Sequence, residues 1–296
     1  MEFFWQGTPV IGSVAMLRQR VITALALLAG FLPALFWREP GPFCGLMLLL
    51  ISAGAWEWSR LNGYRQTAAV AVALGCSALC LSSWGLGWLN QPLPLLWWLA
   101  AVVWVLGGGW LLRGGAGAWA TLDRRLRLGV GVAVLWVAWL AAAQARIIGP
   151  NFVLSVLALV WVADISAYFS GRAWGGRFAS RKLAPSISPG KTWEGVWGGL
   201  AGVLLVALIW RWVDGHWALS VPSLYSHLSQ RGLPILIVGV FFLAAMSVVG
   251  DLLESLVKRS AGVKDSSGLL PGHGGVLDRL DALLPAMPLA MMLFAY

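Results

Sequence analysis

The chain reads as a series of long apolar blocks separated by short polar breaks. The blocks run Val21–Trp37, Pro42–Trp56, Thr67–Trp84, Leu93–Leu112, Leu126–Ala145, Phe152–Tyr168, Trp193–Trp212, Leu233–Val249 and Ala282–Tyr296. A helix that crosses a bilayer needs about 20 apolar residues. Several blocks fall short of that, and those opening at Pro42 and Ala282 are the shortest. The pattern predicts an all-α, polytopic integral membrane protein of about nine transmembrane helices. No internal repeat or soluble domain interrupts the series. It forms one continuous membrane domain, with scaffold helices over residues 1–149 and catalytic helices with cytoplasmic loops over residues 150–296.

Composition agrees with the pattern. Of 296 residues, 59% are hydrophobic and 11% charged, against about 25% charged in soluble domains. Mean hydropathy is +0.78. The 20 Trp suit a chain with much interfacial surface. Cys44, Cys76 and Cys80 all lie inside apolar runs and read as small hydrophobes. The net charge of +9 comes from basic residues scattered between apolar blocks. Anionic lipid and a positive-inside bias account for them, and a nucleic-acid partner is not expected.

With nine spans, all but four of the 21 Lys and Arg fall on the side of the N-terminus; the four are Arg38, Arg146, Arg211 and Arg231. Such a bias places that side in the cytoplasm. The acids are as uneven. Of twelve, seven are Asp164, Glu194, Asp251, Glu254, Asp265, Asp278 and Asp281. The outer loop over residues 213–231 carries Asp214, His216 and His227, and its histidines read as solvated. Gly107 to Gly117 is rich in glycine but follows a span and lacks a Rossmann context.

The densest chemistry lies between Gly250 and Asp281. Asp251, Glu254, Ser255 and Lys258 fall at i, i+3, i+4 and i+7, one face of a helix. The run Pro271–Gly275 must then be a loop. Asp278 and Asp281 share a face if a helix resumes after it. A charge run is commonly a solvated loop, but acids set into apolar surroundings are usually functional. Carboxylates at this spacing suit Mg²⁺, which takes hard oxygen ligands and shares substrate phosphates. Asp251, Asp278 and Asp281 are the candidate metal ligands. Lys258, Arg259, Lys264 and Arg279 are candidates to neutralise phosphate oxygens. Gly274 and Gly275 would let backbone N–H groups approach an anion. His273 could contact a phosphate or hold the loop.

A second constellation runs from Asp164 to Gly195. Asp164 lies within an apolar block and needs a partner or a metal. The loop after it is basic, and Ser188, Lys191 and Thr192 are further candidates to bind substrate. S-P-G-K-T is not a Walker A loop, because Pro185 stands where that motif needs glycine.

The pattern S-x-x-K-R-x4-K-D followed by P-G-H-G-G-x-x-D-R-x-D resembles the signature of the phosphatidate cytidylyltransferases. It is carried by Ser255, Lys258, Arg259, Lys264, Asp265, His273, Gly274, Gly275, Asp278, Arg279 and Asp281. A second block of that family, A-Y-x-x-G-x-x-x-G and K-L-x-P-x-I-S-P-G-K-T-x-E-G, is matched from Ala167 to Gly195. The N-terminal half matches only in its pattern of spans. The opening after Met16 also resembles that of the family, and Met1–Ala15 lacks the basic start of a signal peptide. The resemblance implies transfer of a cytidylyl group from CTP to phosphatidate, giving CDP-diacylglycerol and pyrophosphate. It implies Mg²⁺ and a second, monovalent cation such as K⁺. It places the chain in the inner membrane with its site facing the cytoplasm, and allows a homodimer. Two rival readings are a CTP-dependent polyprenol kinase, which would release CDP, and a cation-coupled transporter.

Overall fold

A computed structural model describes residues 10–179, 181–217 and 221–295. The first nine residues, part of the leader weighed above, lie outside the described residues. Twelve helices follow one another: α1 (Val10–Phe36), α2 (Gly41–Leu61), α3 (Gln66–Gly85), α4 (Pro94–Val102), α5 (Gly108–Thr121), α6 (Arg124–Ile148), α7 (Pro150–Trp174), α8 (Trp193–His216), α9 (Leu224–Gln230), α10 (Leu233–Ser260), α11 (Leu277–Leu280) and α12 (Leu283–Phe294). Among the described residues there is no strand, only the isolated bridges Ala184–Ser188 and Leu270–Gly274.

The helix starts follow from sequence. Proline stands in the first turn of α2, α4, α7 and α10, where its missing N–H costs nothing. Asp123 caps α6 by accepting from the amides of Arg125 and Leu126, and Ser223 caps α9. Helices α4 and α5 join through a widened turn at Val103–Gly107 and count as one span.

Eight helices among the described residues are long and apolar enough to cross a membrane. The first eight predicted blocks each match one of them, those ending at Trp37 and opening at Leu93 overrunning it by a single residue. The ninth forms α12, which has 12 residues and is too short to cross alone. Pro285 and Pro288 lie inside it, and α11 and α12 part at Asp281–Ala282. Its Ala286, Leu289 and Ala290 are fully buried, so protein rather than lipid surrounds it. Its last turn meets the outer ends of other helices: Phe294 packs on Phe152 and on His227. The predicted outer loop over residues 213–231 contains the short helix α9.

Polar side chains close the outer ends. Gln144 donates to the carbonyls of Trp88 and Gln91, and Arg146 to that of Trp37. Asp214 accepts from Asn151, Ser223 and Ser226, while His216 stacks on Trp212. All three cysteines are buried and free.

The tightest helix pair is α7 with α8. Gly195, Gly198, Gly199 and Gly202 of α8 meet Ala163, Ser166, Ala167 and Ser170 of α7. A Cβ at Gly198 would stand 1.8 Å from Ser170 Oγ, and one at Gly202 2.2 Å from Ser166 Oγ. Without a hydrophobic drive between helices in lipid, such small-residue contact supplies the packing energy. This pair carries the second constellation on its inner loop. Overpacking it with Gly198→Leu should cost about 1–3 kcal/mol and lower the melting temperature in detergent by several degrees. Gly75→Leu on α3, where nothing lies within 4 Å, should melt near wild type. Equal melting of the two variants would contradict this packing.

Candidate active site

The site forms where the C-terminal ends of α7 and α10 meet the loop before α8 and the segment at α11. Helix α10 runs on past its apolar part, so its charged residues keep helical spacing. Ser255 Oγ donates to Asp251 Oδ1 at 3.3 Å, and Lys258 Nζ pairs with Glu254 Oε2 at 2.5 Å, both one turn apart. Gly250 is what lets α10 touch the end of α11. A Cβ there would stand 2.4 Å from the carbonyl oxygen of Asp281. Asp281 is thereby brought close to Asp251, and each feels the other's charge.

Lys191 reaches in from the loop before α8 and pairs with Asp251 Oδ2 at 2.5 Å. Asp164, on α7, lies within electrostatic reach of both. The two constellations, far apart in sequence, thus make one cluster. It has an open side and a deep side. The Lys191 and Asp251 side chains are 24% and 30% exposed, those of Lys258 and Glu254 12% and 5%.

Asp278 lies on the deep side. Its Oδ1 pairs with Lys258 Nζ at 2.5 Å. Its Oδ2 accepts from the Gly275 amide at 2.7 Å and from the amide and hydroxyl of Ser266 at 3.0 Å each. Burial opposes its ionisation, but Lys258 and the two amides outweigh that and hold the carboxyl at about 2. Three donors occupy Oδ2, so only Oδ1 has capacity left for a cation. Asp278 therefore shapes the loop as well as carrying charge.

The glycine loop is fixed by residues that sequence reading left in the scaffold. Glu57, on α2, has no exposed surface. Its Oε1 accepts from Ser267 Oγ at 2.5 Å and the Val276 amide at 2.8 Å. Its Oε2 accepts from the Leu277 amide at 2.7 Å and Ser266 Oγ at 3.1 Å. Ser266 Oγ thus touches both Glu57 and Asp278. From α1, Arg20 Nε donates to the Gly272 carbonyl at 3.1 Å and Thr23 Oγ1 to that of Pro271 at 2.9 Å. Gly272 and Gly274 adopt φ of 74° and 83°, where glycine is at ease. A Cβ on Gly275 would stand 1.9 Å from Ser266 Oγ and 2.5 Å from Glu57 Oε1, so the loop closes on Glu57 only with glycine there. One signal in the sequence pointed to Glu57: an acid directly after the apolar block that ends at Trp56.

The other candidates lie around this cluster. Arg259, Lys264 and Asp265 are exposed at the inner mouth, and Arg259 Nη1 donates to the Val263 carbonyl. Arg279 is exposed and its Nη2 donates to the His273 carbonyl at 2.8 Å. His273 Nδ1 is buried without a hydrogen-bond partner. Thr192 Oγ1 accepts from the Gly195 amide at 3.1 Å, the N-cap of α8. Ser188 closes a tight turn through its amide, which donates to the Ala184 carbonyl at 2.8 Å. Glu194 accepts from the amides of Gly176, Phe178 and Ala179 and fixes the turn after α7.

Asp164, Asp251, Glu254, Asp278 and Asp281 face only Lys191 and Lys258 within the cluster. When ionised, the acids exceed the bases by three charges, which calls for added cation or protons. Among the described residues no three acid, His or Cys side chains enclose a metal by themselves. The donor set fits an ion that takes part of its shell from substrate phosphates, as Mg²⁺ does.

A bundle of apolar helices with exposed bases and surplus carboxylates at one end has the make-up of a membrane-embedded phosphoryl-handling protein. Residues 18–296 match the profile of the cytidylyltransferase family, and the chain belongs to that family. It is 42% identical over 287 residues to a protein of Pseudomonas aeruginosa named phosphatidate cytidylyltransferase, covering 95% of this chain and 98% of that one. A protein of the same name from Haemophilus influenzae is 37% identical, over 92% of this chain and 96% of its own length. Another from Bacillus subtilis is 39% identical over 147 residues, half of this chain and 48% of that one.

Glu57→Gln tests the clamp on the loop. It keeps the shape but replaces one acceptor oxygen by a donor that faces one amide and one hydroxyl. Hydrogen bonds to a charged group are worth about 1.5–3 kcal/mol each, so the variant should melt lower and its loop over residues 261–276 should be cut faster by protease. Wild-type melting with unchanged protection of that loop would remove Glu57 from this role.

Proposed function

We propose that the protein transfers a cytidylyl group from CTP to phosphatidate, yielding CDP-diacylglycerol and pyrophosphate. The observation that carries this reading is the single cluster formed by the two constellations, surplus in carboxylate, flanked by bases and set at the end of a membrane bundle. A phosphate oxygen of phosphatidate attacks the α-phosphorus of CTP, the bond to the β-phosphate oxygen breaks, and pyrophosphate departs with its electron pair. The nucleophile is already an anion, so the site has no need of a strong base. What the chain supplies is position and neutral charge.

Asp251 and Asp281 would hold Mg²⁺, with Asp164 beside them and the free capacity of Asp278 Oδ1 behind. Held by these carboxylates, Mg²⁺ would supply positive charge to offset that developing on the leaving pyrophosphate. Lys191 and Lys258 hold the carboxylates in place and meet phosphate oxygens as these arrive. Arg259 and Lys264, exposed at the mouth, draw in the triphosphate, and Arg279 stands beside the glycine loop to meet a further substrate phosphate. A monovalent ion such as K⁺ would lower the remaining negative charge. Ser188 and Thr192 act by shaping the loop that presents Lys191. His273, its Nδ1 unpaired, is suited to donate to a phosphate. The site faces the cytoplasm, where CTP is found, because the basic loops lie on that face; in a bacterial cell the membrane is the inner one.

Purified protein with labelled CTP and phosphatidate should release pyrophosphate only when Mg²⁺ is present. Release of CDP instead would make it a lipid kinase, and no nucleotide turnover would refute the reading. Asp281→Asn should remain folded, with activity about a hundredfold lower, the scale of roughly 3 kcal/mol lost from a charged transition-state contact. Near wild-type specific activity with a lower melting temperature would take Asp281 out of the site.

A further inference from the structure

An apolar cavity of about 280 Å³ lies between α1, α2, α6, α7 and α12, directly beneath the glycine loop. Its inner wall is part of the core: Phe43, Trp139 and Val153 line it and are almost fully buried. Its space exists because α6 presents Ala138 and Ala142, one turn apart, toward it. On the bilayer side it is walled by Leu27 and Leu28 of α1, the least buried of the eight spans at 11%. Among its lining residues the one charged side chain is Arg279, at the end nearest the loop.

We infer that this cavity holds an acyl chain of the lipid substrate, with Arg279 at its head to meet the lipid phosphate. The inference rests on the phosphatidate reading above. Three features argue for this occupant. The walls are apolar along their length, and a cavity of that kind does not hold ordered water. Polarity is confined to one end and is cationic, which matches a molecule with an anionic head and an aliphatic tail. Guanidinium also suits a phosphate, and only one of its donors is taken, by the His273 carbonyl. The depth fits as well. From Ile51 to Phe43, both lining residues on the unbroken helix α2, the wall runs about 12 Å at 1.5 Å per residue. One leaflet of a hydrocarbon core about 30 Å thick offers roughly 15 Å.

Helix α1 links this cavity to the chemistry. Thr23, whose hydroxyl holds the Pro271 carbonyl, and Leu27 in the cavity wall lie one turn apart on it. The face that clamps the glycine loop is therefore also the face that covers the tail. A lipid seated there would have its phosphate delivered beside the loop, and its tail length, not the nucleotide, would be read by the cavity.

The test fills the cavity. Ala142→Phe and, separately, Ala138→Phe are assayed in mixed micelles against long-chain (dioleoyl) and short-chain (dihexanoyl) phosphatidate, with Leu74→Trp on the exposed face of α3 as control. Removing room for a few methylenes should raise KM for the long-chain lipid about tenfold. KM for CTP and turnover of the short-chain lipid should stay within about twofold of wild type. Short-chain turnover also reports that each variant is folded. Unchanged long-chain KM in both variants would mean that the cavity holds only bulk lipid, and would overturn the inference. Equal loss on both lipids in both variants would overturn it too. A wild type that turns over neither lipid would instead sink the phosphatidate reading, and this inference with it.

Discussion

A carboxylate placed among apolar helices has to be answered by donors or by cations, because leaving it unpaired is among the costliest faults a fold can carry. The protein answers several of its acids with its own groups. Asp214 has Asn151 and two serines. Glu194 has three backbone amides, and Glu57 two amides and two hydroxyls. Asp278 has Lys258, Ser266 and Gly275. What remains is Asp164, Asp251, Glu254 and Asp281, for which Lys191 and Lys258 are too few. The residue of this accounting falls at one place, the open inner end of the bundle, where a substrate can supply what the fold withholds.

The same constraint ties the two halves of the chain together. The glycine loop must be held while it stays next to solvent and charge, and its own helices cannot do that. Arg20, Thr23 and Glu57, all from the N-terminal half, grip it from below. The first helices are thus more than lipid-facing scaffold, since they fix where Asp278 and Asp281 stand. Glycine at 250 and 275 makes the approach possible, one for a helix against a carbonyl and the other for a loop against a carboxylate.

Local features were legible in the sequence, and distant ones were not. The apolar blocks are helices because in lipid a single segment can pair its own backbone only as a helix, and eight of nine predicted blocks coincide with long helices to within a residue. The last was harder, because prolines and a charged break shorten it and protein covers what lipid would have covered. Helical spacing gave the pairing of Ser255 with Asp251 and of Lys258 with Glu254. It could not show that Lys258 also bridges to Asp278 or that Lys191 sits on Asp251. Glu57 lies 209 to 220 positions from its partners, and nothing in its neighbours tells a loop anchor from a stray acid. Thr192 is a substrate candidate by its motif, and spacing did not show that its hydroxyl also caps α8.

The central claim is that the surplus carboxylates are balanced by a divalent ion shared with nucleotide phosphate. Mn²⁺, which takes the same oxygen ligands, is visible by electron paramagnetic resonance and can replace Mg²⁺ for this purpose. Purified protein with a non-reacting CTP analogue should bind Mn²⁺ in a form that Mg²⁺ displaces. The Asp251→Asn, Asp281→Asn double variant, still folded by its melting curve, should lose that binding. Full Mn²⁺ binding by the double variant, or none by wild type with nucleotide present, would contradict the account.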